Sequence, residues 1–240
     1  ILELPLDFPR PAVRDFEGRS LRFDLDRKGT EALTVLAQEQ GATLYMVLLS
    51  VINVLMAKLS GQEDIVIGTP VAGRRHADLE KIIGMFVNTL ALRNYSAAEK
   101  PFKIFLAEVK EKTLRAFENQ EYPFENLVDK DALHRDTGRS PLFDVMFTFQ
   151  ESEMNSTRLP AEGIETNGLL IKPFIYEKKT AKFDLNTAVV LNADKLVFAF
   201  DYGAKLFKEE TIERFIRYFK SIISSVLRNP DIQLYAIDIL

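Results

Sequence analysis

Two neighbouring stretches of alternating apolar residues constrain the fold more than any other feature of the sequence. Between residues 183 and 191 every second position carries Phe, Leu, Thr or Val, and an apolar alternation returns between residues 196 and 202. A period of two is typical of half-buried β-strands, and residues 192–194 between them suit a tight connection. The sequence therefore predicts a β-hairpin, which requires antiparallel pairing in at least part of a sheet.

Helical spacing and alternation predict the other elements. Apolar residues at helical spacing follow the capping residues Asp26 and Thr43, and a third apolar stripe follows Pro101. The predicted helices cover residues 27–40, 44–59, 102–119 and 212–227, with a short helix near 124–129. The predicted strands cover residues 20–26, 64–69, 89–93 and 145–149, with a last strand within 234–240. Because strands and helices alternate irregularly, we expect one α/β domain with a mixed, largely antiparallel sheet packed with helices.

Composition and charge exclude several functional classes. The chain carries 31 basic and 35 acidic residues, and with a net charge of −4 it has no electrostatic footprint for nucleic acid. It contains no cysteine, which excludes disulfides, thiolate metal sites and cysteine nucleophiles. His76 and His134 have no second histidine or carboxylate at metal-ligand spacing, so we expect no metal site. No serine lies in a Gly-x-Ser-x-Gly turn, and no glycine-rich phosphate loop follows a strand.

The N-terminal residues predict a connector and show no export signal. Pro5, Pro9 and Pro11 favour extended backbone, so we expect residues 1–18 to connect a preceding part of the protein to a domain at 19–240. No basic region is followed by an apolar core, as a signal peptide requires. The apolar helix predicted at 44–59 is shorter than the roughly 20 residues that a bilayer needs. We therefore expect a cytoplasmic protein without membrane contact.

A polar pair interrupts the otherwise apolar stretch at residues 82–93. Asn88 and Thr89 follow Gly84 and Phe86, where the surrounding residues are mostly apolar. Asparagine is depleted in strands, and a buried amide without partners costs about 1–3 kcal/mol. An amide that binds backbone at the start of a core strand explains the pair, and so does an amide that faces a substrate. The residues alone leave both interpretations open and support no enzyme class.

Several motifs, taken in order, resemble one known family. Residues 83–93 resemble the (I/V)GxFVNT motif of condensation domains in nonribosomal peptide synthetases, and residues 119–125 resemble the (H/N)QDxPFE motif. Residues 135–142 resemble the RDxSRNPL motif, and residues 181–185 are similar to the SKFDL stretch that follows it. Three positions depart from these patterns, namely Glu121, Gly138 and Ser140. The resemblance spans essentially the whole chain, because order and spacing also agree.

The family's catalytic signature is absent from this sequence. No two histidines are adjacent, so the HHxxxDG signature of the family's N-terminal lobe does not occur. The resemblance therefore implies a C-terminal lobe, which is one of two chloramphenicol-acetyltransferase-like lobes with the reaction in a tunnel between them. Residues 1–18 would then connect this lobe to the missing one. Such a lobe should be inactive alone, since the second histidine of the signature positions or deprotonates the attacking amine.

The resemblance also implies substrates and partners. In the family, carrier domains bring a donor thioester and an acceptor aminoacyl group on phosphopantetheine arms, and the acceptor amine attacks the donor to form a peptide bond. We expect no cofactor bound directly to this chain. The expected partners are the N-terminal lobe, carrier domains and an adjacent adenylation domain. Self-association is also expected, because a lone lobe exposes the apolar face that meets its partner.

The resemblance assigns roles to particular residues. Asn88 and Thr89 would face the tunnel, where a fixed amide can orient substrate or support a developing oxyanion. Arg139 matches the arginine that pairs with the signature aspartate across the lobes, so here it should lie exposed or find a substitute partner. Arg135 and Asp136 would belong to the same lobe interface. The residues expected to shape a turn are Tyr122, Pro123 and Phe124.

Three other functions stay open. A non-catalytic module that docks carrier domains would carry the same motifs. So would one lobe of an epimerisation or heterocyclisation domain, although the Phe-Val-Asn-Thr sequence at residues 86–89 favours condensation. The third alternative is a free-standing acyltransferase, which would need His76 or His134 as its base.

Overall fold

The predicted hairpin lies within a six-stranded sheet in the computed structural model. The structure describes residues 2–130, 136–152, 163–172, 179–192 and 194–239. The sheet consists of β1 (Gly18–Leu25), β2 (Asp64–Val71), β3 (Asn88–Tyr95), β4 (Val145–Ser152), β7 (Leu185–Asn192) and β8 (Lys195–Gly203). Two short strands, β5 (Ile164–Thr166) and β6 (Leu169–Ile171), pair separately with each other.

The strand order confirms the predicted fold class. The sheet runs β1-β8-β7-β4-β2-β3, with antiparallel pairing of β1 with β8, β7 with β8, and β2 with β3. Strand β4 lies parallel to both β7 and β2. In the predicted hairpin, Leu185 lies opposite Tyr202 and Asn192 lies opposite Lys195. The fold is therefore α/β with a mixed, largely antiparallel sheet.

Capping residues mark the start of two of the helices. The helices are α1 (Arg27–Glu39), α2 (Leu44–Ser60), α3 (Ala77–Glu80), α4 (Phe102–Glu118), α5 (Phe124–Lys130) and α6 (Glu209–Arg228). The side chain of Asp26 accepts from the Gly29 N–H at 2.8 Å, and that of Thr43 accepts from the Met46 N–H at 3.3 Å. Gly61 ends α2 in the left-handed region, with φ of 70°. Local sequence thus determines these three boundaries, whereas no side-chain cap marks the start of α3, α4 or α6.

One face of the sheet carries the helices and the core. Helix α2 contacts α1, α4 and α6, and these helices cover strands from β1 to β3. At the β1 side, the Phe23 ring stacks on Phe198 with centroids 4.8 Å apart, and Phe219 of α6 meets Phe198 at 5.2 Å. Burial of each such ring contributes roughly 1.5–3 kcal/mol. The second face of the sheet carries the strand residues that alternate with the core residues, together with the motif loops.

The structure corrects one predicted element. Residues 234–240 do not form a strand over the part that is described, since Leu234–Ala236 form a short 3₁₀ helix. The N–H groups of Leu234 and Tyr235 donate instead to the carbonyls of Lys100 and Ala98, which lie before α4. Leu234 is buried in the core, so its apolar character reflects packing rather than sheet pairing.

Helix length bears on membrane contact. Over the described ranges, no single helix is long and apolar enough to cross a membrane. Helices α1 and α2 meet that test only as a pair, and a bend of 102° separates them.

The N-terminal segment lies against the domain although residues 2–16 contain no helix or strand. Leu2 and Leu4 are buried in the core. The Asp7 carboxylate accepts from the Lys208 N–H at 2.8 Å and from the Thr211 hydroxyl at 3.0 Å, at the start of α6. The segment is therefore held in place by specific contacts, and its expected role as a connector stays a prediction.

Candidate functional site

The side chain of Asn88, the first residue of β3, binds the loop of the next motif. Its Nδ2 atom donates to the carbonyls of Gln120 at 2.7 Å and of Tyr122 at 2.8 Å. Its Oδ1 atom accepts from the Thr89 N–H at 2.8 Å. Both amide hydrogens and the amide oxygen are thus used, which removes the desolvation cost of placing this side chain at a strand end. The contacts are those of an amide that binds backbone, and the expected role in a tunnel stays a prediction.

The residues expected to shape a turn lie between α4 and α5. The Tyr122 N–H donates to the Asn119 carbonyl at 3.1 Å, which closes a turn after α4. Pro123 precedes Phe124, the first residue of α5. The Lys130 ammonium lies 5.1 Å from the centre of the exposed Tyr122 ring. Because Asn88 holds two carbonyls of this turn, the two motifs form one local unit.

Arg139 is largely buried and has three carboxylate partners, of which the most distant is Asp136, whose Oδ2 atom lies 3.8 Å from Arg139 Nε. Its Nη1 atom donates to Asp144 Oδ2 at 3.0 Å, and its Nη2 atom donates to both carboxylate oxygens of Glu3 at 2.9 Å. Only 12 % of the Arg139 side chain and 4 % of the Asp144 side chain are exposed. Glu3 comes from the N-terminal segment, so Arg139 binds this segment to the rest of the chain. The expected role of Arg139 at a lobe interface stays a prediction.

The rest of the third motif also binds the connector. Asp136 Oδ1 accepts from the Gly138 N–H at 2.8 Å, which shapes the loop. The Thr137 hydroxyl donates to the Ala12 carbonyl at 2.7 Å, and the Arg14 N–H donates to the Thr137 carbonyl at 3.0 Å. Arg135 and His134 lie outside the described residues, so their predicted roles have no structural account.

A second buried ion pair joins the connector to the start of β7. Arg10 Nη1 donates to Asp184 Oδ1 at 2.9 Å, Nη2 donates to Oδ2, and Nη1 also meets the Gly138 carbonyl at 3.3 Å. The hydrogen bond with Asp184 raises the pKa of Arg10. Burial raises the pKa of Asp184, and its hydrogen bond with Arg10 opposes that rise. The fork-to-carboxylate geometry fixes the connector in one position.

Thr89 points away from the helices and lines an open cavity of about 560 Å³. A row of aromatic rings forms one wall, with Phe124 and Phe143 centroids 5.7 Å apart and Phe143 and Phe183 centroids also 5.7 Å apart. Gly68 of β2 makes this possible, because a Cβ there would overlap the Phe143 ring. The cavity thus brings together residues of all four motifs: Thr89, Phe124, Ser140 and Phe183.

Histidine and metal chemistry find no place in the described site. His76 lies just before α3 and its side chain makes no capping hydrogen bond. Among the residues that the structure describes, no group of three His, Cys, Asp or Glu side chains could hold a metal ion. The cavity lining offers cations, hydroxyl groups and aromatic rings, which can bind, orient and pack against a ligand.

Several residues of the site escaped the sequence analysis. Arg10 and Asp184 are 174 residues apart, and no local pattern marks such a pair. Arg14 and Phe143 belong to no motif that the sequence analysis singled out. Gly68 was detectable in principle, since an isolated glycine within a strand often marks the close approach of another group.

The family comparison covers the whole chain. The model of the family described as Condensation domain matches residues 1–240. Gramicidin S synthase 2 of Aneurinibacillus migulanus is 45% identical over 242 residues, which cover 100% of this chain and 5% of that protein. The chain therefore spans a small fraction of the length of this relative.

Solved structures agree with the family match. Holo-AB3403, a four-domain nonribosomal peptide synthetase bound to AMP and glycine, superposes with a TM-score of 0.89 at 26% identity. That match covers 100% of this chain and 19% of the other. The X-domain from teicoplanin biosynthesis has the same fold, with a TM-score of 0.86 at 24% identity, and the match covers 100% of this chain and 53% of that one.

Proposed function

The chain belongs to the condensation-domain family, and we propose that it forms the C-terminal lobe of a peptide-bond-forming condensation domain in a nonribosomal peptide synthetase. Three facts together carry this proposal. The whole chain matches the family, yet it covers only 53% of the X-domain chain, and its 240 residues contain no adjacent histidines. A single lobe of a two-lobed domain accounts for all three facts.

The proposed reaction is divided between two lobes. The acceptor amine attacks the carbonyl carbon of the donor thioester, a C–N bond forms, the C–S bond breaks, and the thiol of the donor arm leaves with the proton. The base or positioning group is the histidine of the missing lobe. This lobe supplies one wall of the tunnel, on which Thr89 and the phenylalanine row lie, while Asn88 holds the wall's loop in place.

The proposed partners follow from this division. Carrier domains present both reacting groups on phosphopantetheine arms, and an adenylation domain lies nearby in the synthetase. The four-domain architecture of holo-AB3403 supports partners of this kind. Residues 1–18 connect the N-terminal lobe to this one, and the Arg10–Asp184 and Arg139–Glu3 pairs fix the direction in which the connector arrives.

Exposed apolar side chains support the proposal that this chain binds a partner surface. Ile83 is 101% exposed and Met85 is 90% exposed, in the loop that leads into β3. Leu169 and Leu170 of the β5–β6 hairpin are also largely exposed. Contiguous exposed apolar residues usually mark an interface. We propose that they contact the N-terminal lobe, and that they promote self-association when this chain is alone.

A complementation assay tests the proposal. Donor- and acceptor-loaded carrier domains are mixed with this chain, with an N-terminal lobe that carries HHxxxDG, or with both. Peptide should form only with both lobes. Peptide formation by this chain alone, at a rate near that of the two lobes together, would refute the proposal.

The same assay separates the alternatives. Carrier binding without rescue by the second lobe would favour a docking module. Epimerised or cyclised products would favour the related domain types. If this chain is active alone and loses activity when His76 and His134 are both replaced by alanine, it is a free-standing acyltransferase.

A further inference from the structure

Arg14 presents an unsatisfied cation beside the cavity that Thr89 lines. Its guanidinium carbon lies 5.3 Å from the Phe16 ring centre and 5.6 Å from the Phe183 ring centre. Its Nη2 atom is buried and has no hydrogen-bond acceptor among the described residues. A buried N–H group without an acceptor is unfavourable, so an oxygen acceptor placed there would gain a hydrogen bond at little further desolvation cost.

The nearest carboxylates cannot take that role. Asp184 and Asp144 both act on Arg14 through their charges, but neither makes an ion pair with it. Asp184 is held by Arg10, and Asp144 is held by Arg139. Burial lowers the pKa of Arg14, and the two carboxylates oppose the shift. Arg14 is therefore a cation that the fold places against aromatic rings on the wall of this cavity, with no carboxylate paired to it among the described residues.

The cavity has the size and lining of a small-molecule site. Its volume is about 560 Å³, within the usual range for ligand pockets. Lys182 provides a second cation at its edge, and three hydroxyl groups and four phenylalanine rings complete the lining. Guanidinium and ammonium groups bind carboxylates and phosphates by charge-assisted hydrogen bonds, while the rings suit an apolar body.

We propose that this cavity binds a small organic anion. Arg14 and Lys182 hold its carboxylate or phosphate, and the phenylalanine rings hold the apolar chain or ring attached to that group. The inference rests on the proposed function for the source of the ligand. In a carrier-fed reaction, the anion is either the phosphate of the phosphopantetheine arm or a carboxylate on the acyl group that the arm carries.

Calorimetric titration of the 240-residue chain tests this inference with two matched pairs of ligands. The first pair is 4′-phosphopantetheine and pantetheine, which differ in the phosphate. The second pair is 3-phenylpropanoate and 3-phenylpropanol, which differ in the carboxylate. In at least one pair the anion should bind about tenfold more tightly than its neutral analogue, and the pair that shows this identifies the source.

Variants locate the binding site. Arg14→Gln should reduce the affinity for that anion about tenfold, and Lys182→Gln should reduce it about threefold. Arg22→Gln, on the exposed face of β1, is the matched control and should change nothing. Circular dichroism verifies that each variant is folded, and Arg14→Lys should restore part of the affinity by restoring the charge.

Two results would overturn the inference. One is the absence of any difference between anion and neutral analogue in both pairs, including the absence of binding. The other is an anion preference that survives Arg14→Gln in a folded protein. Neither depends on peptide formation, so failure of the complementation assay would refute the proposed function without changing this result.

Discussion

At the scale of single residues, the side-chain amide of Asn88 acts as a connector between two motifs. It donates to two carbonyls of the turn after α4 and accepts from the backbone of β3. A strand residue with an apolar side chain would leave both carbonyls without this donor. The asparagine is therefore explained by loop positioning, whatever else it contacts in a complete domain.

Removal of this amide should destabilise the chain. We expect Asn88→Ala to lower the free energy of unfolding by about 1–3 kcal/mol, because the partly buried Gln120 carbonyl and the exposed Tyr122 carbonyl both lose their donor. Urea denaturation followed by circular dichroism measures the change. Asn119→Ala is the control, since its amide donates to the Arg115 carbonyl on an exposed surface; we expect a cost of about 0.5 kcal/mol or less. Equal costs at the two positions would contradict the account of Asn88.

At the scale of elements, strand β2 makes room for the aromatic wall of the cavity. Gly68 lies where a side chain would occupy the volume of the Phe143 ring. Phe143 in turn contacts Phe124 of α5 and Phe183 before β7. One missing side chain thus allows three separate elements to meet on the second face of the sheet.

Gly68→Ala should disturb this wall. The added methyl group forces Phe143 to move, and overpacking of this kind typically costs about 1–3 kcal/mol. Thermal and urea unfolding should both register the loss. Gly84→Ala is the matched control, because a Cβ there would meet only the Phe86 ring, at 3.5 Å. If both variants unfold as the parent does, the close approach at Gly68 is not important to the fold.

The connector is the other element whose position depends on single contacts. We expect Arg10→Met to cost about 3–5 kcal/mol, because it leaves the buried Asp184 carboxylate without its partner. Only 14 % of the Arg10 side chain and 5 % of the Asp184 side chain are exposed. Equilibrium unfolding in urea gives the cost.

An exposed ion pair provides the comparison. Lys205 and Glu17 lie 3.0 Å apart, and more than half of each side chain is exposed. Lys205→Met should cost much less than Arg10→Met, because solvent screens an exposed ion pair. A cost for Arg10→Met no larger than that for Lys205→Met would show that the connector is not held by the buried pair.

The sequence predicts local elements better than it predicts the site. Alternation and caps located the hairpin and the ends of α1 and α2, because those signals lie within a few residues of each other. The Arg10–Asp184 pair depends on the folded path of the chain, which no local pattern specifies. The apolar tail after Leu234 predicted a strand, but its backbone donors pair with residues before α4. Tertiary packing therefore determines the conformation of that segment.

At the scale of the whole molecule, one face of the sheet is covered by helices and the other face carries the cavity. Helices cover the first face of the sheet. The motif loops and the aromatic row lie on the second face. The apolar residues Ile83 and Met85 are exposed in the loop that leads into β3. Residues of all four motifs converge on the cavity of the second face. The Arg10–Asp184 and Arg139–Glu3 pairs hold the N-terminal segment against the same part of the chain.

Sedimentation velocity of this chain mixed with an N-terminal condensation lobe tests the central claim most directly. If this chain is one of two lobes, an equimolar mixture should sediment as a 1:1 heterodimer, and the self-association of the chain alone should decrease as its apolar surface is covered. If both proteins sediment in the mixture as they do separately, at concentrations where the chain is folded, then it does not form one half of a condensation domain.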